Sequence, residues 1–117
     1  MLLYAITLFV LAAVFGIYML LRVFGGGLPP WQAAVLHGLF AASGLLLLLY
    51  VAFLGGAPQP QAVVVSAVLL LIAALGGFVL VSFHMRGKVP PKTLAAIHAL
   101  VAVGGVGALA ASMLGYV

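Results

Sequence analysis

The segments Pro29-Pro30-Trp31-Gln32-Ala33-Ala34-Val35-Leu36-His37 and Pro90-Pro91-Lys92-Thr93-Leu94-Ala95-Ala96-Ile97-His98 decide how this chain folds. Each opens on a proline pair that cannot continue a preceding helix but is tolerated in a first helical turn. Each then runs without interruption into an apolar stretch that carries one histidine. From His37 to His98 is a shift of 61 residues, and the same ungapped shift lays Ala12-Ala13 on Ala73-Ala74 and Gly16 on Gly77. It also lays Ala34 on Ala95, Ala41 on Ala102 and Gly44 on Gly105. Apolar composition alone yields chance Ala, Leu and Gly matches, but not a Pro-Pro pair and a histidine in one register twice, with six prolines and three histidines in the chain. The reading is a tandem duplication, with repeat 1 over about 1–56 and repeat 2 over about 62–117.

Working outward, Pro and Gly break the apolar sequence at Gly25–Pro30, Gly55–Pro60 and Arg86–Pro91. Four helices follow, over 2–24, 31–54, 61–85 and 92–115, in one domain spanning 1–117. The composition says what surrounds them. Hydrophobic residues make up 68% of the chain, charged ones 3%, and there is no Asp or Glu. That is too few charges to cover a water-soluble surface. A crossing needs about 20 apolar residues, so this length accommodates four crossings and little else. The expected fold class is therefore all-α integral membrane: a four-transmembrane-helix bundle of two tandem parallel helical-hairpin repeats with pseudo-two-fold symmetry. The first apolar run lacks a basic leader and a small-x-small cleavage site, so it reads as a retained helix.

The few charges report orientation. Arg22, Arg86, Lys88 and Lys92 all fall at one end of the bundle, side B, whereas the opposite end, side A, carries no charged side chain. The positive-inside rule places side B in the cytoplasm and both termini outside, as in a multi-pass protein of a bacterial inner membrane. Four dispersed cations do not form a phosphate-binding patch, so nucleic acid is not an expected partner. Without Cys, disulfides and iron–sulfur clusters are excluded. Without acids or Cys there is no nucleophile–base set, and no catalytic activity of the chain's own is expected.

The duplication places His37 and His98 at one depth, roughly 10 Å inside the B boundary at 1.5 Å per residue. In a compact bundle helices 2 and 4 stand diagonally opposite, so if one histidine points at the axis, so does the other. Ionisable groups at that depth are costly and by default functional. On their faces lie small residues, Ala34, Ala41 and Gly44 in one helix, Ala95, Ala102 and Gly105 in the other. Small stripes commonly serve close helix approach. They also make room for a flat cofactor, and two diagonal imidazoles have the arrangement for bis-histidine haem ligation. The expectation is one haem b, its iron held by His37 and His98, with Arg22 at the end of helix 1 inside the bundle as partner for a propionate. Ala12-xxx-Gly16 and Ala73-xxx-Gly77 read as packing positions, against a helix or a cofactor face. His84, whose counterpart is Val23, reads as an interfacial histidine.

The stretch HMRGKVPPKTLAAIHALVAVGG, His84 to Gly105, resembles a family of small bacterial four-helix membrane proteins. More loosely, the histidine placement resembles cytochrome b561-type bundles, in which paired histidines on neighbouring helices hold b-haem. That resemblance implies a b-type cytochrome or a haem-dependent subunit, working beside the lipid bilayer, a larger electron-transfer complex, a quinone or a second copy of itself. The departure is that such bundles carry two histidine pairs, whereas side A here has none, so one haem alone would not bridge the membrane. The competing reading is a cofactor-free accessory subunit of a respiratory or photosynthetic complex, its histidines bonding across helices. A small multidrug transporter ranks last, because the membrane-embedded Glu of that class is missing.

Overall fold

A computed structural model describes residues 1–116; Val117, the last residue of the expected second repeat, lies outside the described residues. Four helices form: α1 (Leu2–Phe24), α2 (Trp31–Leu49), α3 (Gln61–Met85) and α4 (Lys92–Met113), and no strand occurs among the described residues. α2 runs on through a wide π-helical turn, Tyr50–Leu54, so its apolar span reaches the expected residue 54. α4 stops two residues short of expectation, because Gly115 adopts φ +86°, a left-handed conformation that ends a helix.

The connections follow from Pro and Gly. Pro30, Pro60 and Pro91 sit just before the first turn of α2, α3 and α4, with extended backbone. They are helix caps, and the helices start at residues 31, 61 and 92, where the sequence reading puts them. At the other ends Gly26 (φ +83°) and Gly87 (φ +68°) turn the chain out of α1 and α3. The amides of Gly27 and Lys88 then reach back to the carbonyls of Arg22 and Phe83 at 2.9 Å each, satisfying otherwise orphaned helix-end acceptors.

All four helices are long and apolar enough to cross a membrane. Large side chains such as Leu3, Leu39, Phe78, Leu100 and Val103 face outward, which in water would be a severe aggregation liability. The helices pack mainly within hairpins, α1 on α2 and α3 on α4, with thinner seams between α1 and α4 and between α2 and α3. That cyclic order makes α2 and α4 diagonal neighbours.

The buried core lies toward side A. Ala5 and Phe9 of α1, Leu48 of α2, Val63, Ala67 and Leu70 of α3, and Leu109 of α4 form one cluster. Its single buried polar side chain, Ser66, donates a 2.6 Å hydrogen bond to the Gly105 carbonyl, tying α3 to α4. Gly105 permits that approach: a Cβ there would stand 2.6 Å from Leu70 Cγ. The side A half is thus closed by packing. The histidines occupy the other half.

Candidate functional site

α2 and α4 each bring one imidazole inward, and the ring centroids of His37 and His98 stand 6.2 Å apart with planes crossing at 73°. Both residues are half-buried. His37 Nδ1 donates to the Ala12 carbonyl at 2.8 Å, and His98 Nδ1 donates to the Ala73 carbonyl at 2.8 Å. A carbonyl oxygen can only accept, so in each ring Nδ1 carries the hydrogen and the neutral imidazole keeps its lone pair on Nε2. Neither Nε2 has a hydrogen-bond partner among the described residues.

The helices facing the rings are built to receive them. In α1 the accepting carbonyl of Ala12 lies one turn before Gly16, and a Cβ on Gly16 would sit 3.0 Å from His37 Cε1 and 3.2 Å from Nδ1. In α3 Ala73 precedes Gly77 by the same turn, and a Cβ on Gly77 would sit 3.2 Å from His98 Cε1 and 3.8 Å from Nδ1. Each glycine lets an imidazole lie on bare backbone and reach a carbonyl that an added methyl would crowd. The Ala-xxx-Gly pairs therefore seat histidines, a role more specific than helix packing. The 61-residue shift carried that signal, since it moves Ala12, Gly16 and His37 together onto Ala73, Gly77 and His98.

This geometry gives a test. Gly16→Ala is expected to displace His37 and weaken any ligand held by the pair by about 10- to 100-fold, the usual cost of disturbing an outer partner of a ligating histidine. Gly77→Ala, with its wider clearance to Nδ1, is expected to have the smaller effect. Ligand titration of the two variants side by side, with equal losses, would contradict the assignment.

The remaining site residues expected from the sequence are distributed differently. Gly44 is buried against α1, where a Cβ would come 3.2 Å from the Ala5 carbonyl and from the Phe9 ring. Gly105 is taken up by Leu69 and Leu70, and Ala102 packs on the side A core. Ala95 is buried, and Ala34 and Ala41 are half-buried on the histidine-bearing α2. The glycines of the two stripes thus serve close helix approach. Arg22 is exposed rather than inside the bundle, and its Nη2 donates to the Leu28 carbonyl at 3.2 Å, closing its own loop. His84 Nε2 donates to the Pro29 carbonyl at 2.7 Å, tying the end of α3 to the α1–α2 connection. Sequence offered no sign of this tether, because the 61-residue shift lays His84 on Val23.

The hairpins differ beside the rings. In the first hairpin, Phe15, the residue before Gly16, and Phe40, one turn after His37, stack with centroids 6.0 Å apart and planes at 16°. Shifted by 61, those positions are Gly76 and Val101. Both line a laterally open apolar groove of about 320 Å³ between α3 and α4, together with Ala73, Val79, Ile97 and His98.

Among the described residues no group of three or more His, Cys, Asp or Glu side chains is placed to hold a metal ion. A metal at this site would take its protein ligands from the histidine pair alone. No protein-family model matches the chain, nor does any curated protein or solved structure.

Proposed function

We propose that this protein is a membrane-embedded b-type cytochrome that binds one haem b through His37 and His98 and serves as an electron carrier or haem-dependent subunit. The observation that carries this reading is the paired imidazoles, each anchored through Nδ1 on a backbone carbonyl with Nε2 unpartnered. Ligating histidines characteristically donate their other ring N–H to a carbonyl or carboxylate, which fixes tautomer and orientation. Two metal–nitrogen bonds of about 2 Å, plus roughly 1 Å from each nitrogen to its ring centre, span about 6 Å. The 6.2 Å between ring centres matches that span where both Nε2 atoms are directed at one point, and it is equally the spacing of an ordinary edge-to-face ring pair. Crossed ring planes are no obstacle, because ligation directs the nitrogen and leaves rotation about the metal–nitrogen bond free.

Haem supplies one-electron redox chemistry when bound; the chain supplies two neutral ligands, an apolar surround and the seats that hold the rings. Each hairpin contributes one histidine, and the seam between hairpins is the thinner contact, which suits a flat group held from both sides. The exposed cations Arg22, Arg86, Lys88 and Lys92 have no carboxylate partner in the chain, so propionates or anionic lipid headgroups would complement them.

The same reading includes a tandem duplication, four crossings of a bacterial inner membrane, and a cytoplasmic side B with both termini outside. The outward-facing apolar side chains and the one-sided cations support it. A second reading, a cofactor-free subunit of a larger membrane complex, draws on the same hydrogen bonds, because His37 and His98 already join their helices to α1 and α3. Interhelical bonds of this kind contribute about 0.6 kcal/mol on average in a membrane.

The deciding experiment is an absorption spectrum of detergent-purified protein, oxidised and dithionite-reduced, with haem counted per chain. One haem with sharp reduced bands of a six-coordinate low-spin b-type centre is expected. A colourless protein after expression with ample haem supply, co-purifying with a large complex, would establish the second reading instead.

A further inference from the structure

We infer that His98 is the exchangeable member of the pair: its ring can withdraw into the α3–α4 groove and yield its place to a small uncharged ligand such as carbon monoxide. This rests on the haem reading and assigns a ligand-exchange function to that site. The argument is the asymmetry of space beside two otherwise matching rings. Both imidazoles make one 2.8 Å hydrogen bond to a carbonyl, so their anchors are alike. Their surroundings are not. The seats themselves are nearly alike, with a Cβ on Gly16 3.0 Å from His37 Cε1 and one on Gly77 3.2 Å from His98 Cε1. What differs is the pair of positions alongside: Phe15 and Phe40, whose rings stack on each other in the first hairpin, are replaced by Gly76 and Val101, which line an open groove in the second.

The groove they line is about 320 Å³ and is itself bordered by His98. An apolar cavity of about 150 Å³ accommodates a benzene-sized ring, so an imidazole has room there. The wall is apolar, so a displaced His98 is accepted only in its neutral form and gains no new hydrogen bond. The seated position therefore stays favoured until another ligand takes the vacated place. The groove opens sideways along the apolar surface, giving an uncharged, lipid-soluble molecule a route that an ion lacks. His37 lies in the hairpin that carries Phe15 and Phe40 in place of Gly76 and Val101, and keeps its position.

The test uses the reduced haem-loaded protein, titrated with carbon monoxide and followed by the Soret band. Saturable binding is expected for the wild type and for Gly76→Ala, which leaves the groove open. Gly76→Phe and Val101→Phe, which fill it, are expected to lower carbon monoxide affinity tenfold or more without altering the spectrum before titration. Melting curves by circular dichroism identify a variant that fails to fold, in which case the other decides. Haem-loaded protein that ignores carbon monoxide, or binds it equally in a folded groove-filled variant, overturns the inference. If the wild type carries no haem, the haem reading itself falls. Imidazole ¹⁵N relaxation then tests the asymmetry directly: His98 is expected to reorient faster than His37, and equal rates overturn it.

Discussion

His37→Ala and His98→Ala are each expected to abolish the six-coordinate low-spin spectrum of the purified protein, with haem affinity falling by well over the roughly 100-fold that loss of an outer partner costs. Either change leaves one axial nitrogen, so any haem retained would become five-coordinate and high-spin, shifting the Soret band and removing the sharp reduced bands. The double variant is expected to purify without haem. His84→Ala is the internal control. It breaks the tether to the Pro29 carbonyl but touches neither ring, so the spectrum should persist while the α1–α2 connection loosens. The histidine variants should still fold, because the buried cluster closing the side A half is built from Ala, Phe, Leu and Val side chains. Circular dichroism showing intact helices, together with an unchanged spectrum in either single variant, would remove the pair as ligands.

Gly105→Ala is expected to be the most damaging small substitution in the bundle, costing about 1–3 kcal/mol as overpacking does in a well-filled core. The new Cβ would stand 2.6 Å from Leu70 Cγ and 2.9 Å from Cδ2. Leu70 is itself buried, and its branch point, rather than a flexible tip, is the atom that must move. Moving α4 off α3 instead would stretch the buried hydrogen bond from Ser66 to the Gly105 carbonyl. Gly44→Ala faces contacts of 3.2 Å and should cost less, and Gly107→Ala, with nothing within 4 Å, should be silent. Thermal unfolding in detergent should order the three as Gly105, Gly44, Gly107. A Gly105→Ala protein as stable as the wild type would mean that α3 and α4 are not packed in this register.

These two results probe opposite halves of one bundle, and the division of labour is already written in the chain. No histidine falls in the side A half, where small residues and one serine permit tight packing. Both paired histidines fall in the other half, where glycines on α1 and α3 leave backbone bare for imidazoles. A stripe of small residues can do either job, and only the neighbour across the interface decides which. Gly44 and Gly105 meet bulky side chains of α1 and α3, so they serve close approach. Gly16 and Gly77 meet imidazoles.

What the sequence by itself determined was the set of helices and the common depth of the two histidines. Proline pairs and glycine clusters stop and start helices through local backbone sterics, which need no tertiary information, and three of the four helices end where those signals put them. The near absence of charge required an apolar surface on every helix. The common shift of Pro-Pro and His put His37 and His98 at one level. The tertiary structure decided the rotation of each helix against its neighbours, which apolar periodicity cannot encode when nearly every face is apolar. From that rotation follow the Ala12 and Ala73 carbonyls as anchors, Arg22 folded on its own loop, and the groove beside His98, lined by Gly76 and Val101 where the first hairpin has the stacked Phe15 and Phe40. Each of these is a contact between residues far apart in sequence, and such contacts exist only once the helices have chosen their faces.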